Sequence, residues 1–111
     1  MMIDETAAQN ALAGLFRAGV GHWNILTGVA QAMSVAGKQR LDIVDFFWRL
    51  MNASPAVLDE EQLNLVDDFT GALLGNCPLD RIIRLHGDPE DPQALGELVV
   101  ADAARWKPPG S

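Results

Sequence analysis

The chain lacks the paired cysteines of disulfide-stapled proteins and the long apolar runs of membrane-spanning ones. It has no tyrosine, and Cys77 is its only cysteine in 111 residues. A single cysteine cannot form an intramolecular disulfide, which is typical of a protein from a reducing compartment. The longest apolar runs fall well short of the roughly 20 residues of a bilayer span. The acidic Asp4 and Glu5 stand where a secretory signal would be basic. We therefore expect a soluble, cytoplasmic protein that does not act at a membrane.

Positive charge is scarce in the second half of the chain. Residues 1–55 contain four acidic and four basic residues, whereas residues 56–111 contain eleven acidic and four basic ones. The second half therefore accounts for the whole formal charge of −7. Such a field repels nucleic acid and attracts a basic partner, so we expect no direct binding of nucleic acid. The alternative is that the charge serves solubility alone.

What the sequence does contain is helical periodicity. Apolar residues recur every three or four positions in the segments 4–19, 22–36, 38–52, 59–75 and 91–106. Asp4, Asp59 and Asp91 are predicted caps, Gln62 completes a capping box, and Pro92 suits the first position of the last helix. Residues 78–85 could be a short helix or a short strand. The pattern predicts an all-α fold, a compact bundle of four to five helices with short connections, in one domain over residues 1–107. Residues 108–111 are predicted to form a flexible tail.

The third segment is apolar around most of its circumference. In LDIVDFFWRLM, residues 41–51, only Asp42, Asp45 and Arg49 are charged. One interpretation is that the core covers one side and a second subunit or a target covers the other. The predicted interface residues are Ile43, Phe46, Phe47, Trp48 and Leu50. The alternative is a central helix that its own neighbours surround.

No arrangement of residues indicates catalysis. His86 lies near Asp88, Glu90 and Asp91, but the spacing is not that of a calcium loop, which favours a solvated acidic turn. A helix start after Cys77 would lower a thiol pKa, yet no base is placed beside it, so a buried and inert thiol is expected. We predict no enzyme activity, no cofactor and no metal.

These features favour a protein that binds another protein. We expect a small acidic inhibitor, such as an anti-activator of a transcription regulator or an immunity or anti-defence protein, which forms a homodimer through the apolar helix. A basic or DNA-binding partner would be steered by an acidic face of Asp59, Glu60, Asp67 and Asp68. One alternative is a homodimeric structural component. Another is a ligand-binding bundle whose apolar pocket is lined by Trp23, Phe46, Phe47 and Trp48.

Overall fold

Five α-helices make up most of the computed structural model, which describes residues 5–19, 22–53, 56 and 58–108. The helices are α1 (Glu5–Arg17), α2 (Trp23–Val35), α3 (Arg40–Met51), α4 (Glu60–Leu73) and α5 (Pro92–Arg105). These described residues contain no β-strand, and the predicted all-α bundle is confirmed. The predicted cap Asp4 lies outside them, as do residues 109–111 of the predicted tail.

The helix α4 begins with the capping box that the sequence predicts. Asp59 Oδ1 accepts a hydrogen bond from the Gln62 backbone N–H at 2.8 Å, and Gln62 Oε1 accepts one from the Asp59 N–H at 2.9 Å. Both bonds satisfy amide donors that the first helical turn leaves open. Gln62 Nε2 also donates to the Phe16 carbonyl at 2.9 Å, which joins the start of α4 to the end of α1.

The end of α4 requires a glycine at position 75. Gly75 has φ of +81°, in the left-handed region that glycine adopts without strain. A Cβ built on it would also lie 2.9 Å from Val99 Cγ1 of α5, closer than real Cβ contacts. Gly75 therefore both ends α4 and lets α5 approach it.

The helix α3 is the centre of the bundle and contacts α1, α2, α4 and α5. Ile43, Phe46 and Phe47 are fully buried, and Leu50 is 1% exposed. Phe47 packs edge-on against Phe46 and Phe69 with ring centroids 5.1 Å apart in both pairs. The prediction that one side of α3 is left uncovered is therefore wrong for these four residues, because the same chain already encloses their side chains. Trp48, the fifth predicted interface residue, is half-buried.

Of the two alternatives for residues 78–85, the structure shows a short helix at the start of the segment and no strand. Leu79–Arg81 form one turn of 3-10 helix, Ile82 is extended, and residues 83–85 have no regular secondary structure. The Ile83 N–H donates to the Ala72 carbonyl at 3.3 Å, and Ile82, Ile83 and Leu85 are buried. The apolar residues of this segment thus cover the bundle without regular structure.

Only some of the apolar residues of α5 are buried. Leu95 and Val99 are buried, whereas Leu98 is 41% exposed. No helix that the structure describes is long and apolar enough to cross a membrane.

Candidate protein-binding surface

The acidic face predicted from the sequence lies along α4 and the residue that caps it. Asp59, Glu60, Asp67 and Asp68 are all exposed. Within the part of the chain that the structure describes, none of them forms an ion pair. The sequence has no lysine or arginine between Arg49 and Arg81, so α4 has no basic residue of its own. The carboxylates of this face are therefore available to interact with solvent or with a partner.

Two grooves border the acidic face, and Asp68 lines both of them. The first, which we call the α1–α4 groove, has a volume of about 700 Å³. Asp59, Glu61 and Asp68 lie along it together with Arg17 and His22. Trp23 also lines it, and its ring packs edge-on against Phe69 with centroids 5.1 Å apart. This groove already contains a cation of the chain itself.

The second groove, which we call the tryptophan groove, lies between the end of α3, the middle of α4 and the residues after α5. Its volume is about 470 Å³. The lining includes Trp48 and Trp106, the apolar Met51 and Leu74, and the acidic Asp67 and Asp68. Glu60 lines neither groove.

The position of Trp106 is fixed by a hydrogen bond across the bundle. Its Nε1–H donates to Asp45 Oδ1 at 2.8 Å, and Asp45 is half-buried. Asp45 and Trp48 are three residues apart on α3 and so lie on one side of that helix. The bond therefore holds Trp106 against the side of α3 from which Trp48 enters the groove.

A third cleft, of about 400 Å³, contains a buried ion pair that sequence reasoning missed. Arg40 Nη2 lies 2.5 Å from Asp88 Oδ2, and the two side chains are 4% and 12% exposed. The guanidinium also donates to the carbonyls of Leu73 and Ile83 at 2.9 Å. Asp88 Oδ2 accepts the Leu85 N–H as well, at 2.7 Å. The prediction of a solvated acidic turn is therefore wrong for Asp88, because Arg40 holds it against the bundle.

The charges in this cleft serve the fold. Burial lowers the pKa of the Arg40 guanidinium, while Asp88 and, more weakly, Asp102 act in the opposite direction. Arginine remains protonated across the physiological range in any case. Ser34 adds a further anchor, since its hydroxyl accepts the His86 backbone N–H at 2.8 Å. The cleft holds α3, the end of α4 and residues 83–88 together.

The structure also places the thiol and the aromatic residues that the sequence singled out. Burial raises the pKa of the half-buried Cys77 thiol, an effect that Arg81 partly offsets. No three histidine, cysteine, aspartate or glutamate side chains in the described part of the chain could hold a metal ion. The apolar pocket predicted from four aromatic residues is not formed. Phe46 and Phe47 are fully buried, and Trp23 and Trp48 line different grooves.

Comparison of the chain with protein-family models, with curated proteins and with solved structures finds no match. The geometry of the surface is therefore the basis for a functional proposal.

Proposed function

We propose that the protein binds a basic segment of another protein through the acidic face of α4, and that it withholds this segment from the partner's own ligand. The observation that carries the proposal is the set of exposed carboxylates on α4 without an ion pair among the described residues. Complementary charge raises association rates and selects partners. A DNA-binding regulator is the class of partner that this chemistry fits best, because an acidic face can cover a surface that otherwise binds phosphates. We place the interaction in the cytoplasm.

The two grooves add a reason for binding beyond charge. Exposed carboxylates alone contribute little affinity, because water and salt screen them. Aromatic side chains beside the charges supply area that a partner can bury. Trp23 lies on one side of α4, and Trp48 and Trp106 lie on the other. A basic segment that crosses α4 would contact both charge and aromatic surface.

The test compares two charge reversals of equal size. In the first variant, Asp67→Lys and Asp68→Lys reverse the acidic face, and in the control, Glu90→Lys and Glu97→Lys reverse exposed acids outside α4. Immobilised wild-type protein and both variants are incubated with extract of the source cells, and the association rate of any captured partner is measured against salt. We expect a basic partner that the wild type and the control capture. The first variant should associate at least about ten-fold more slowly at low salt. Equal capture by all three proteins would contradict the proposal.

A second candidate function is that of a homodimeric assembly component. It is favoured by the apolar side chains exposed beside and along α5, Leu79 at 52% and Val100 at 64%. Light scattering of the wild type and of a Leu79→Glu/Val100→Glu variant tests it. A wild-type dimer that the double substitution dissociates would support this function, and a wild-type monomer at micromolar concentration would exclude it.

A further inference from the structure

We infer that the tryptophan groove binds one cationic side chain, an arginine or a lysine, of the basic partner. This inference rests on the proposed function, because it specifies where on the surface the positive side chain of the partner binds. A cation over an indole face is attracted by the ring's quadrupole, and tryptophan is the best of the aromatic side chains for this purpose. Two tryptophans and two aspartates line this one groove.

The composition of the groove selects the occupant. Asp67 and Asp68 contribute two negative charges, and among the described residues no basic one lines the groove. Lys107, which follows Trp106 in the chain, is exposed and is not part of the lining. Met51 and Leu74 supply apolar surface for the methylene stem of a long side chain. A lysine or arginine matches this combination of an apolar stem and a charged end, whereas an acidic or a purely apolar side chain matches only part of it.

The α1–α4 groove is less suited to this role. It is larger, at about 700 Å³ against about 470 Å³, and Arg17 and His22 already line it. A positive charge that enters it would meet Arg17 as well as the acidic residues. It also has one indole, that of Trp23, which packs edge-on against Phe69. The cation is therefore assigned to the groove of Trp48 and Trp106.

The three tryptophans of the chain allow a direct test. Their indole N–H signals are assigned in two-dimensional NMR spectra with single Trp→Phe variants. The folded protein is then titrated with acetyl-Gly-Arg-Gly-amide, with its lysine counterpart and with the neutral acetyl-Gly-Gln-Gly-amide. We expect both cationic peptides to shift the signals of Trp48 and Trp106 but not that of Trp23. The neutral peptide should shift none of them.

Two variants refine the result. Trp48→Ala should weaken the binding of the arginine peptide about two- to five-fold, the effect of one partly exposed cation–π contact. The Asp67→Lys/Asp68→Lys variant should lose the shifts, and the Glu90→Lys/Glu97→Lys control should keep them. Shifts at Trp23 in place of Trp48 and Trp106, equal shifts with the neutral peptide, or no shift at millimolar peptide would each overturn the assignment.

The two proposals fail in different ways. If reversal of Asp67 and Asp68 abolishes capture of the partner while the peptides leave Trp48 and Trp106 unshifted, the cation pocket is wrong and the proposed function stands. If the reversal changes neither capture nor the peptide shifts, both are wrong.

Discussion

Arg40 and Asp88 form an ion pair that is almost wholly buried, with Nη2 and Oδ2 2.5 Å apart. The two residues are 48 positions apart in the sequence. The same guanidinium donates to the carbonyls of Leu73 and Ile83. One side chain at the start of α3 thus fixes the end of α4 and the irregular segment that follows it.

The first prediction concerns the loss of one member of this pair. Asp88→Ala should lower the free energy of unfolding by about 3 kcal/mol, because it leaves the buried Arg40 charge without its counter-ion. The neighbouring exposed acid supplies the control, and Glu90→Ala should change stability by less than about 0.5 kcal/mol. Urea unfolding followed by circular dichroism measures both. A similar small change in both variants would show that the pair contributes little.

The second prediction concerns the centre of the bundle. Phe46→Asp and Leu50→Asp should each abolish cooperative folding of the single chain, since both side chains are buried within it and a carboxylate there would be unpaired. Val100→Asp is the matched control, because Val100 is an apolar helical residue that is 64% exposed. That variant should keep its helical spectrum and its thermal transition. A folded Phe46→Asp monomer would mean that α3 is less enclosed than the structure shows.

The third prediction compares two glycine substitutions. Gly75→Ala should cost about 2 kcal/mol or more, because it places a Cβ at positive φ and against Val99 Cγ1. Gly28 is exposed and lies in the middle of α2, and the Cβ that Gly28→Ala adds meets nothing within 4 Å. It should stabilise the protein by up to about 1 kcal/mol through higher helix propensity. The shift of the urea midpoint should therefore differ in sign between the two variants.

The fourth prediction concerns the reactivity of Cys77. Burial raises the pKa of its thiol, so a smaller fraction is thiolate near pH 8 than in an unprotected cysteine. Alkylation by iodoacetamide at that pH should be slower in the folded protein than in urea, where the thiol regains its ordinary pKa. Raising the pH should accelerate the folded protein's reaction, since deprotonation yields the nucleophile. Equal rates in the folded and unfolded states would show that the site does not suppress the thiolate.

The sequence was sufficient to predict the start of α4 and its exposed acidic face. Asp59 and Gln62 were sufficient to predict the start of α4, because a capping box involves residues three positions apart. The exposed acidic face was also readable, since adjacent carboxylates without a basic neighbour remain at the surface of a helix. One feature of the sequence indicated that Arg40 of the Arg40–Asp88 ion pair would be buried. Arg40 precedes Ile43 and Val44 by three and four positions, so it lies on the buried side of α3.

The sequence by itself determined the helices of this protein, the caps Asp59 and Asp91 of α4 and α5, and the acidic character of α4. These properties depend on residues within a few positions of one another, and local hydrogen bonds and periodicity suffice to decide them. Only the tertiary structure decided that α3 is enclosed, because an apolar helix can be covered by its own chain or by a partner. It likewise decided that Asp88 is buried beside Arg40 and that Trp48 and Trp106 line one groove with Asp67 and Asp68. Each of these outcomes depends on how distant helices pack, and no local pattern specifies that arrangement.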